Sequence, residues 1–396
     1  MSLDYDAIVV GGRVAGASTA LLLAQHGHQV LVVERSSMPS DTVSTHAILR
    51  TGVLQLTRWG VIDRLIDAGT PPVRNVTLGF GEERIEFEVR SEFGIDTLYA
   101  PRRYLLDAVL MGAAVAAGAE FSDNTTMTGL LRDDHGRVTG IRVGRRKDTQ
   151  AITARFVIGA DGHRSRVAEL VGARVKKSHP ATNAVHYAYY DGVPATGFWF
   201  QFSPGVNAGL IPTNDDQCLV FAGRPTGQRQ KFTEDPDREF KRLIRQGGSD
   251  LADVVNSGER VGQYRGTNGL AGFIRQAAGP GWALVGDAGY TKDPISAHGI
   301  SDALRDAELC ARAVDRAICE PQRTGEAMTW YETLRDSLSA RMFDRSRDLA
   351  GFNWTPEQAS AWMRLISDEV KAECETLVSL PAWTPAFAEI GSGFGH

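Results

Sequence analysis

Cysteine is scarce in this chain, and its few positions lie far apart. The 396 residues include four cysteines, and none of their spacings is the C-x-x-C of a redox or zinc site. No cysteine–histidine spacing suggests zinc either, so we predict no metal site. We expect reduced thiols in a cytoplasmic protein rather than a disulfide framework. The four residues are Cys218, Cys310, Cys319 and Cys374.

Long apolar runs and basic clusters are also missing. The longest apolar segments are too short to cross a bilayer, and the first strand-like segment begins at Tyr5, which leaves no room for a signal peptide. The net charge is −5, and no basic cluster with interleaved aromatic residues indicates nucleic-acid binding. We therefore expect a soluble monomer or homodimer that has a small-molecule substrate and no nucleic-acid or membrane partner.

Glycine, by contrast, is abundant, and its first cluster lies between two apolar segments. Residues 5–10 and 29–33 are short and β-branched, which is typical of strands buried on both faces of a parallel sheet. Residues 17–27, rich in Ala and Leu and ending in Gly27, predict a helix between them. Glu34 and Arg35 close this strand–turn–helix–strand unit.

This unit has the chemistry of a dinucleotide site. Gly11 permits a tight turn and Gly16 lets the helix pack closely, so the free N–H groups at the positive end of the helix face a pyrophosphate. Glu34 follows Gly16 by 18 residues, near the spacing of a carboxylate that binds ribose hydroxyls. Arg13 replaces the middle glycine of G-x-G-x-x-G, and we expect its guanidinium to help neutralise phosphate. A structural βαβ unit is the alternative, and the motif alone does not distinguish NAD from FAD.

Two later regions differ in their pattern of apolar residues. From about residue 176 to 265, short aromatic and β-branched segments alternate with Gly, Pro, Asn and Asp, which predicts a largely antiparallel sheet. A long amphipathic helix is predicted over about 299–318. Before these regions, Ile85, Phe87 and Val89 alternate with charged residues, which predicts a strand with one buried face.

Five aromatic side chains of the predicted sheet could line a substrate pocket. They could equally form a core between the sheet and its own helix, and alternation allows only one face of the sheet to serve a pocket. Both interpretations stay open for the set, which consists of Tyr187, Tyr189, Trp199, Phe200 and Phe202.

Two later motifs follow the glycine turn in order. Residues 160–166 resemble a D-G-x-x-S motif, and Gly286-Asp287-Ala288, with Pro294 and Gly299 behind it, resembles a G-D-A…P…G stretch. Over about residues 1–320 the chain resembles the FAD-dependent group A flavin monooxygenases of the p-hydroxybenzoate hydroxylase type. Three motifs in this order indicate FAD as the cofactor.

The resemblance implies an α/β fold with a Rossmann-like FAD-binding domain, an inserted, mostly antiparallel substrate sheet and a helical C-terminal region. We expect the FAD-binding domain at 1–72, 98–175 and 266–325. The substrate domain is expected at 73–97 and 176–265, and the C-terminal helices at 326–396.

The resemblance also implies which residues contact FAD. Glu34 would hold the adenosine ribose with Arg35 beside it, and Met127 would contact the adenine side through its backbone. Arg50 and Arg103 would reach the cofactor. The predicted contacts around the glycine turn and the third motif are Gly11, Gly12, Arg13, Ala15, Gly16 and Gly286.

At the flavin end, Asp287 would bind the ribityl chain or the phosphate bridge, and Asp161 would shape the pocket between FAD and the nicotinamide donor. Gly299 and Ile300 would donate backbone N–H groups to the N1–C2=O edge, where reduced flavin carries negative charge.

Two histidines near the expected flavin position are candidate catalytic residues. His298 and Ala297 stand where the family has Gln and Gly, and Ser301 stands in place of Asn. His46 lies in a polar segment, 41–46, that would pass the flavin. A loop histidine bonded to backbone is the alternative for His46.

The activity implied is hydroxylation or epoxidation of an aromatic or polycyclic molecule with O₂, through a flavin C4a-hydroperoxide, with NADPH or NADH as electron donor. An FAD-dependent reductase of the geranylgeranyl reductase type is the alternative. A halogenase is disfavoured because the first lysine is Lys147 and residues 198–200 lack the W-x-W-x-I-P pattern. No residue pattern specifies the substrate.

Overall fold

The computed structural model describes residues 3–145, 148–228, 232 and 234–383. The end of the predicted C-terminal helical region, 384–396, lies outside the described residues. Within them the chain forms three sheets. The strands are, in order, β1 (Tyr5–Val10), β2 (Val30–Val33), β3 (Asn75–Phe80), β4 (Glu83–Glu88), β5 (Glu120–Ser122), β6 (Met127–Arg132), β7 (Val138–Arg145), β8 (Asp148–Gly159), β9 (Val175–His179), β10 (Asn183–Asp191), β11 (Gly197–Ser203), β12 (Val206–Pro212), β13 (Cys218–Pro225), β14 (Glu259–Thr267), β15 (Gly272–Arg275), β16 (Ala278–Gly279), β17 (Trp282–Leu284) and β18 (Tyr290–Thr291).

Helices join and cover these strands. Short 3₁₀ turns at Gly286–Ala288 and Pro294–Ser296 precede the longest helices. The α-helices of the described chain are α1 (Val14–Gln25), α2 (Arg50–Arg58), α3 (Ile62–Asp67), α4 (Arg103–Ala116), α5 (Arg166–Val171), α6 (Pro236–Gly247), α7 (Ser249–Asn256), α8 (Gly299–Cys319), α9 (Thr324–Ala350) and α10 (Pro356–Ser379).

The eight-stranded sheet contains the N-terminal unit. Its main order is β16-β17-β8-β1-β2-β5, with β7 added to β8 and β6 added to β7. Strands β2, β1, β8 and β17 run parallel, and Val10 lies opposite both Val33 and Gly159, while Gly159 lies opposite Leu284. The three motifs that follow β1, β8 and β17 therefore emerge at one edge of the sheet, where ligands of such folds bind.

The seven-stranded sheet has the order β14-β10-β13-β12-β11-β3-β4, and only its β3–β11 pair is parallel. One face packs on α6 and α7 through Phe240, Leu243 and Leu251. The other face turns toward the segment before α2 and the loop before α8. The fold class predicted from the sequence, including the mostly antiparallel inserted sheet, is confirmed.

One expectation about this sheet is wrong. Ile85 and Phe87 were expected to be buried, but each is 44% exposed, and only Val89, just beyond β4, is buried. The reason is position, because β4 is the edge strand and within the described chain α10 packs on β3 and β11 rather than on β4.

Helix α8 is the predicted long amphipathic helix, and the structure confirms it over 21 residues. It packs against α1 on one side and α9 on another, while α10 crosses back to α2. A third sheet, β18-β15-β9, lies beside the loop that leads to α8. Within the described residues, no helix combines the length and apolarity that a membrane span requires.

Candidate cofactor site and substrate cleft

Glycines bring the three sequence motifs together at the N-terminus of α1. A Cβ on Gly16 would overlap the carbonyl oxygen of Gly11, and one on Gly11 would overlap the carbonyl oxygen of Ala160. Gly286, at φ +58°, approaches Ala15 so closely that its Cβ would lie 2.8 Å from that of Ala15. Backbone thus packs on backbone here, and we call Gly11, Gly16, Ala160 and Gly286 the glycine rim.

The N-terminus of α1 has the features of an anion site. Its capping residue, Arg13, makes no side-chain capping hydrogen bond, and no acidic residue lies in the first turn. The first N–H groups of a helix have no partner within the helix, and the helix dipole is positive there. A pyrophosphate beside the glycine rim would satisfy these groups.

Glu34 is buried at the end of β2, where its carboxylate accepts hydrogen bonds from the backbone N–H groups of Gly12, at 3.0 Å, and Ser36, at 2.9 Å. A carboxylate has further lone pairs, so it can also accept ribose hydroxyls. Arg35 is exposed next to it, and Met127 begins β6 as a buried residue.

Arg13 and Arg103 share a partner that the sequence did not suggest. The fully buried carboxylate of Asp107 accepts from Arg13 Nη1 at 2.8 Å and from Arg103 Nε and Nη2 at 3.0–3.2 Å. Arg13 also donates to Ser40. Two guanidinium groups and one carboxylate leave a net positive charge next to the N-terminus of α1. The spacing of four between Arg103 and Asp107 was the available signal.

Two predicted cofactor residues have structural partners of their own. Asp161 accepts from Ser165 Oγ at 2.5 Å and from the N–H groups of Arg166 and Val167, so its carboxylate stabilises the N-terminus of α5. Arg50 forms an ion pair with Glu92 at 3.1 Å. Both roles toward FAD stay predictions.

The residues expected at the flavin end line open space. Asp287 is exposed to solvent at this position, and desolvation by the protein around it raises the pKa of its carboxyl group. Gly299 is exposed at the start of α8, and a Cβ added there would meet no atom within 4 Å. Ala297 precedes it in a left-handed conformation, at φ +55°. The N-terminus of a 21-residue helix thus opens toward the region where the flavin is expected.

The two candidate catalytic histidines are buried and neutral at physiological pH. Burial, reinforced by Arg103, lowers the pKa of His46 to about 3, and burial with the charge of Lys292 lowers that of His298 to about 3. His46 bonds to the hydroxyl of Tyr189 at 2.6 Å rather than to backbone, while His298 Nδ1 bonds to the carbonyl oxygen of Ser296. A pKa this low keeps both imidazoles neutral near pH 7, and their catalytic roles stay predictions.

A buried charge network that the sequence did not predict lies beside residues 293–298, which we call the flavin loop because they lead to the predicted flavin contacts Gly299 and Ile300. Arg305 is fully buried and contacts Asp306 at 2.7 Å and both Asp302 and Glu373 at 3.3 Å, while Lys292 pairs with Asp302. Burial lowers the pKa of Lys292 to about 7. Glu373 lies on α10, and its distance from Arg305 along the sequence is too great for any local spacing to predict the contact. We call Lys292, Asp302, Arg305, Asp306 and Glu373 the charge network.

A narrow, mainly apolar cleft lies between the flavin loop and the seven-stranded sheet. Its free volume in this structure is about 10 Å³, about the space of one water molecule. We call it the substrate cleft, and it is lined by Thr45, Asn183, Val185, Phe200, Asn207, Phe221, Pro294, Ile295 and Ala297.

The five predicted aromatic residues divide between the faces of the sheet. Phe200 lines the cleft, and Tyr187 and Tyr189 lie on the same face, where both rings contact His46. Trp199 packs on the opposite, helix-covered face. Phe202 lies in the cluster formed with the C-terminal helices. Phe221, a cleft residue, was not singled out from the sequence.

Comparison with known proteins shows the family and the fold of the chain. The family described as FAD binding domain matches residues 4–346. Digeranylgeranylglycerophospholipid reductase 1 of Methanopyrus kandleri is 26% identical over 360 residues, 88% of this chain and 90% of the relative. The 6-methylpretetramide 4-monooxygenase of Streptomyces rimosus is 27% identical over 346 residues, 85% of this chain and 79% of the relative. The flavin-dependent halogenase CmlS superposes with a TM-score of 0.76 at 20% identity, which demonstrates a shared fold. That match covers 87% of this chain and 63% of CmlS.

Proposed function

The chain belongs to the FAD binding domain family, and within that family of FAD-dependent oxidoreductases we propose that it is an NAD(P)H-dependent monooxygenase. The proposed reaction hydroxylates or epoxidises an aromatic or polycyclic small molecule with O₂. NADPH or NADH is the proposed electron donor.

The substrate cleft is the observation that supports this proposal. Its lining is mainly apolar and includes two aromatic side chains, as is usual for sites that bind small organic molecules. Phe200 and Phe221 lie with ring centroids 6.0 Å apart, and Val185 and Ile295 add apolar wall. An aromatic lining of this kind can pack against a ring of the substrate.

The residues proposed to hold the adenosine and pyrophosphate lie around the glycine rim. Glu34 would accept ribose hydroxyls, and the N-terminus of α1 would meet the pyrophosphate with the net positive Arg13–Asp107–Arg103 group beside it. We also propose the FAD contacts that the family resemblance implies for Met127, Arg35 and Arg50.

At the other end, the backbone N–H groups of Gly299 and Ile300 would stabilise negative charge on the flavin, because they open the positive end of α8. Asp287 would accept hydroxyl groups of the ribityl chain. When bound, FAD supplies the electron transfer and the O₂ chemistry. The chain then has to position the substrate and exclude water, which the buried walls of the cleft can do.

A reductase of the geranylgeranyl type is the second candidate. It is favoured by the reductase of M. kandleri, whose 26% identity nearly equals the 27% identity of the S. rimosus monooxygenase. Sequence similarity alone therefore does not choose between the two reactions.

Oxygen incorporation separates them. The purified protein should be yellow, and NAD(P)H oxidation should accelerate with an accepted aromatic compound and place one atom of ¹⁸O₂ in the product. Colourless protein after gentle purification would contradict the cofactor assignment. Turnover of an alkene under anaerobic conditions would instead identify a reductase.

A further inference from the structure

Three side chains of metal-binding types lie together at the C-terminal end of α8. Asp315 and Cys319 are one helical turn apart on α8, and His28 lies in the loop between α1 and β2. One ring nitrogen of His28, one carboxylate oxygen of Asp315 and the sulfur of Cys319 all lie within 4.8 Å of one another. We call these residues the three-donor cluster. Nitrogen, oxygen and sulfur are the ligand atoms that Zn²⁺ takes in proteins.

The distances within the three-donor cluster are close to those around a zinc ion. Nε2 of His28 lies 2.7 Å from Oδ1 of Asp315, and Sγ of Cys319 lies 3.7 Å from the same oxygen. Bonds of about 2.0 Å to nitrogen and oxygen and about 2.3 Å to sulfur separate tetrahedral ligands by roughly 3.3–3.5 Å. An ion would therefore replace the hydrogen between His28 and Asp315 and move their two atoms apart by only about half an ångström.

Neighbouring groups orient two of the three ligands. The indole N–H of Trp383 donates to Oδ2 of Asp315 at 3.1 Å, which leaves Oδ1 facing the cluster. On the far side of the His28 ring, Nδ1 lies 4.0 Å from a carboxylate oxygen of Asp6. Metal-binding histidines usually have a carboxylate or carbonyl beside their second nitrogen, and metal-binding carboxylates are themselves hydrogen-bonded. The cluster therefore has the outer partners of a metal site as well as the inner ligands.

The charges around the three-donor cluster favour a cation. Cys319 is the last residue of α8, and the C-terminal end of a helix is the negative end of its dipole. Desolvation and the charge of Asp315 raise the pKa of the Cys319 thiol. Within the described part of the chain, no lysine or arginine pairs with Asp315. A dication would stabilise both the carboxylate and the thiolate, and its binding would release the thiol proton.

The three-donor cluster is remote from the predicted cofactor site. Helix α1 leads from the glycine rim toward His28, and its 12 residues span roughly 18 Å. Asp6 lies near the start of β1, whereas Gly11 follows the end of that strand. An ion here would link the α1–β2 loop to the end of α8. No local spacing predicts it, because His28 and Asp315 are 287 residues apart.

We propose that His28, Asp315 and Cys319 form a binding site for Zn²⁺, with water as the fourth ligand, that holds the end of α8 to the α1–β2 loop. Mg²⁺ and Ca²⁺ are disfavoured because they take oxygen ligands, and two of the three donors here are nitrogen and sulfur. The proposal is independent of the reaction that the cofactor supports.

The first test uses Cys319 itself, because the other three cysteines of the chain are buried. The FAD-bound protein is treated with a chelator, freed of it and reacted with Ellman's reagent. One thiol per native chain should react. Zn²⁺ should slow that reaction at least about tenfold, because the bound sulfur is no longer free to attack, and chelator should restore the rate. A rate that stays unchanged in excess Zn²⁺ would overturn the proposal.

Variants assign the ligands, with Zn²⁺ affinity measured by competition with a zinc-binding dye. His28→Gln and Cys319→Ser each remove one ligand and should weaken binding by at least about 100-fold. Trp383→Phe keeps the ring but removes the N–H that orients Asp315, so it should weaken binding about tenfold. The matched control is His135→Gln, an exposed histidine in a turn that contains two aspartates, and it should bind as the wild type does.

Co²⁺ reports the geometry of the site in the FAD-bound protein. A tetrahedral cobalt ion with a thiolate ligand absorbs in the red, beyond the bands of oxidised flavin, and this absorption should be absent in Cys319→Ser. Zn²⁺ should also raise the unfolding temperature of the wild type and leave that of Cys319→Ser unchanged. FAD content shows whether each variant is folded. Equal Zn²⁺ affinity in Cys319→Ser and the wild type would overturn the assignment and leave His28 and Asp315 as an ion pair.

Discussion

The glycine rim and the substrate cleft are two ends of one site, and they are built in different ways. The rim consists of backbone, where Gly11, Gly16 and Gly286 permit approaches that a Cβ would block. The cleft consists of side chains from four strands, the segment before α2 and the flavin loop, supported by the charge network. A common cofactor needs the same backbone shape in each protein, whereas a substrate requires particular side chains.

This difference predicts how each end fails. Damage to the rim should follow from adding a single methyl group. Damage to the cleft side should follow from removing a charge or a hydrogen-bond partner, since its buried polar groups depend on one another.

The largest expected effect is on the cleft side. Arg305→Met leaves Asp306 and Glu373 buried without their cation and should lower the free energy of unfolding by about 4 kcal/mol. Arg316→Met on the same helix removes only half-exposed ion pairs and should cost less than about 1 kcal/mol. Chemical denaturation measures both. Similar losses for the two variants would show that the charge network does not support this end.

The rim is tested by Gly16→Ala. The added methyl group meets the backbone oxygen of Gly11, which cannot rotate away, so unfolding should become easier by about 3 kcal/mol and FAD content should fall sharply. Gly112→Ala is the matched control, because Gly112 is exposed in α4 and its Cβ would meet nothing within 4 Å. That variant should be neutral or slightly more stable. Retained FAD in Gly16→Ala would contradict the close approach.

The same difference explains what the sequence could predict. The glycine rim could be predicted because its close backbone approaches require glycine at fixed spacings next to strands and helices. Helix α8 could be predicted because its apolar residues recur with the local period of a helix. Glu34 could be predicted in the same way, because it follows the glycine turn at a fixed spacing. The fold class could be inferred from these features and from the family resemblance that they support.

The cleft and the charge network could not be predicted in this way. Asn183, Asn207 and Asp293 meet only after β10, β12 and the flavin loop pack together, and Glu373 reaches Arg305 from 68 residues away. The error at Ile85 and Phe87 has the same origin, since alternation indicates two faces but not which element covers them. Long-range packing supplies that information.

The pH dependence of stability tests whether Asp293, in the flavin loop, is a buried carboxyl group. Burial raises the pKa of Asp293 from 3.8 to about 7, so the folded chain keeps a proton that the unfolded chain releases. This contribution to stability is fully present below about pH 4 and is lost as the pH rises through 7. The unfolding free energy of the wild type, relative to Asp293→Asn, should fall by about 2.6 kcal/mol between pH 5 and 8. The exposed variant Asp253→Asn should parallel the wild type, and a pH-independent difference for Asp293→Asn would contradict the assigned pKa.

The smallest expected effect concerns Asp287, where the two ends meet. It follows the rim glycine Gly286, yet it would act through its side chain, as an acceptor for cofactor hydroxyl groups. Asp287→Ala should therefore weaken FAD binding by roughly tenfold, about 1.4 kcal/mol, and leave the fold intact, whereas Asp287→Asn should lose less because it keeps one acceptor. Fluorescence quenching of FAD titrated into the apoprotein measures each affinity, with the exposed Asp253→Ala as control. If Asp287→Ala bound FAD as tightly as the wild type, the Asp287 side chain would not contact the cofactor. The third motif would then hold FAD through backbone groups alone, as the glycine rim does.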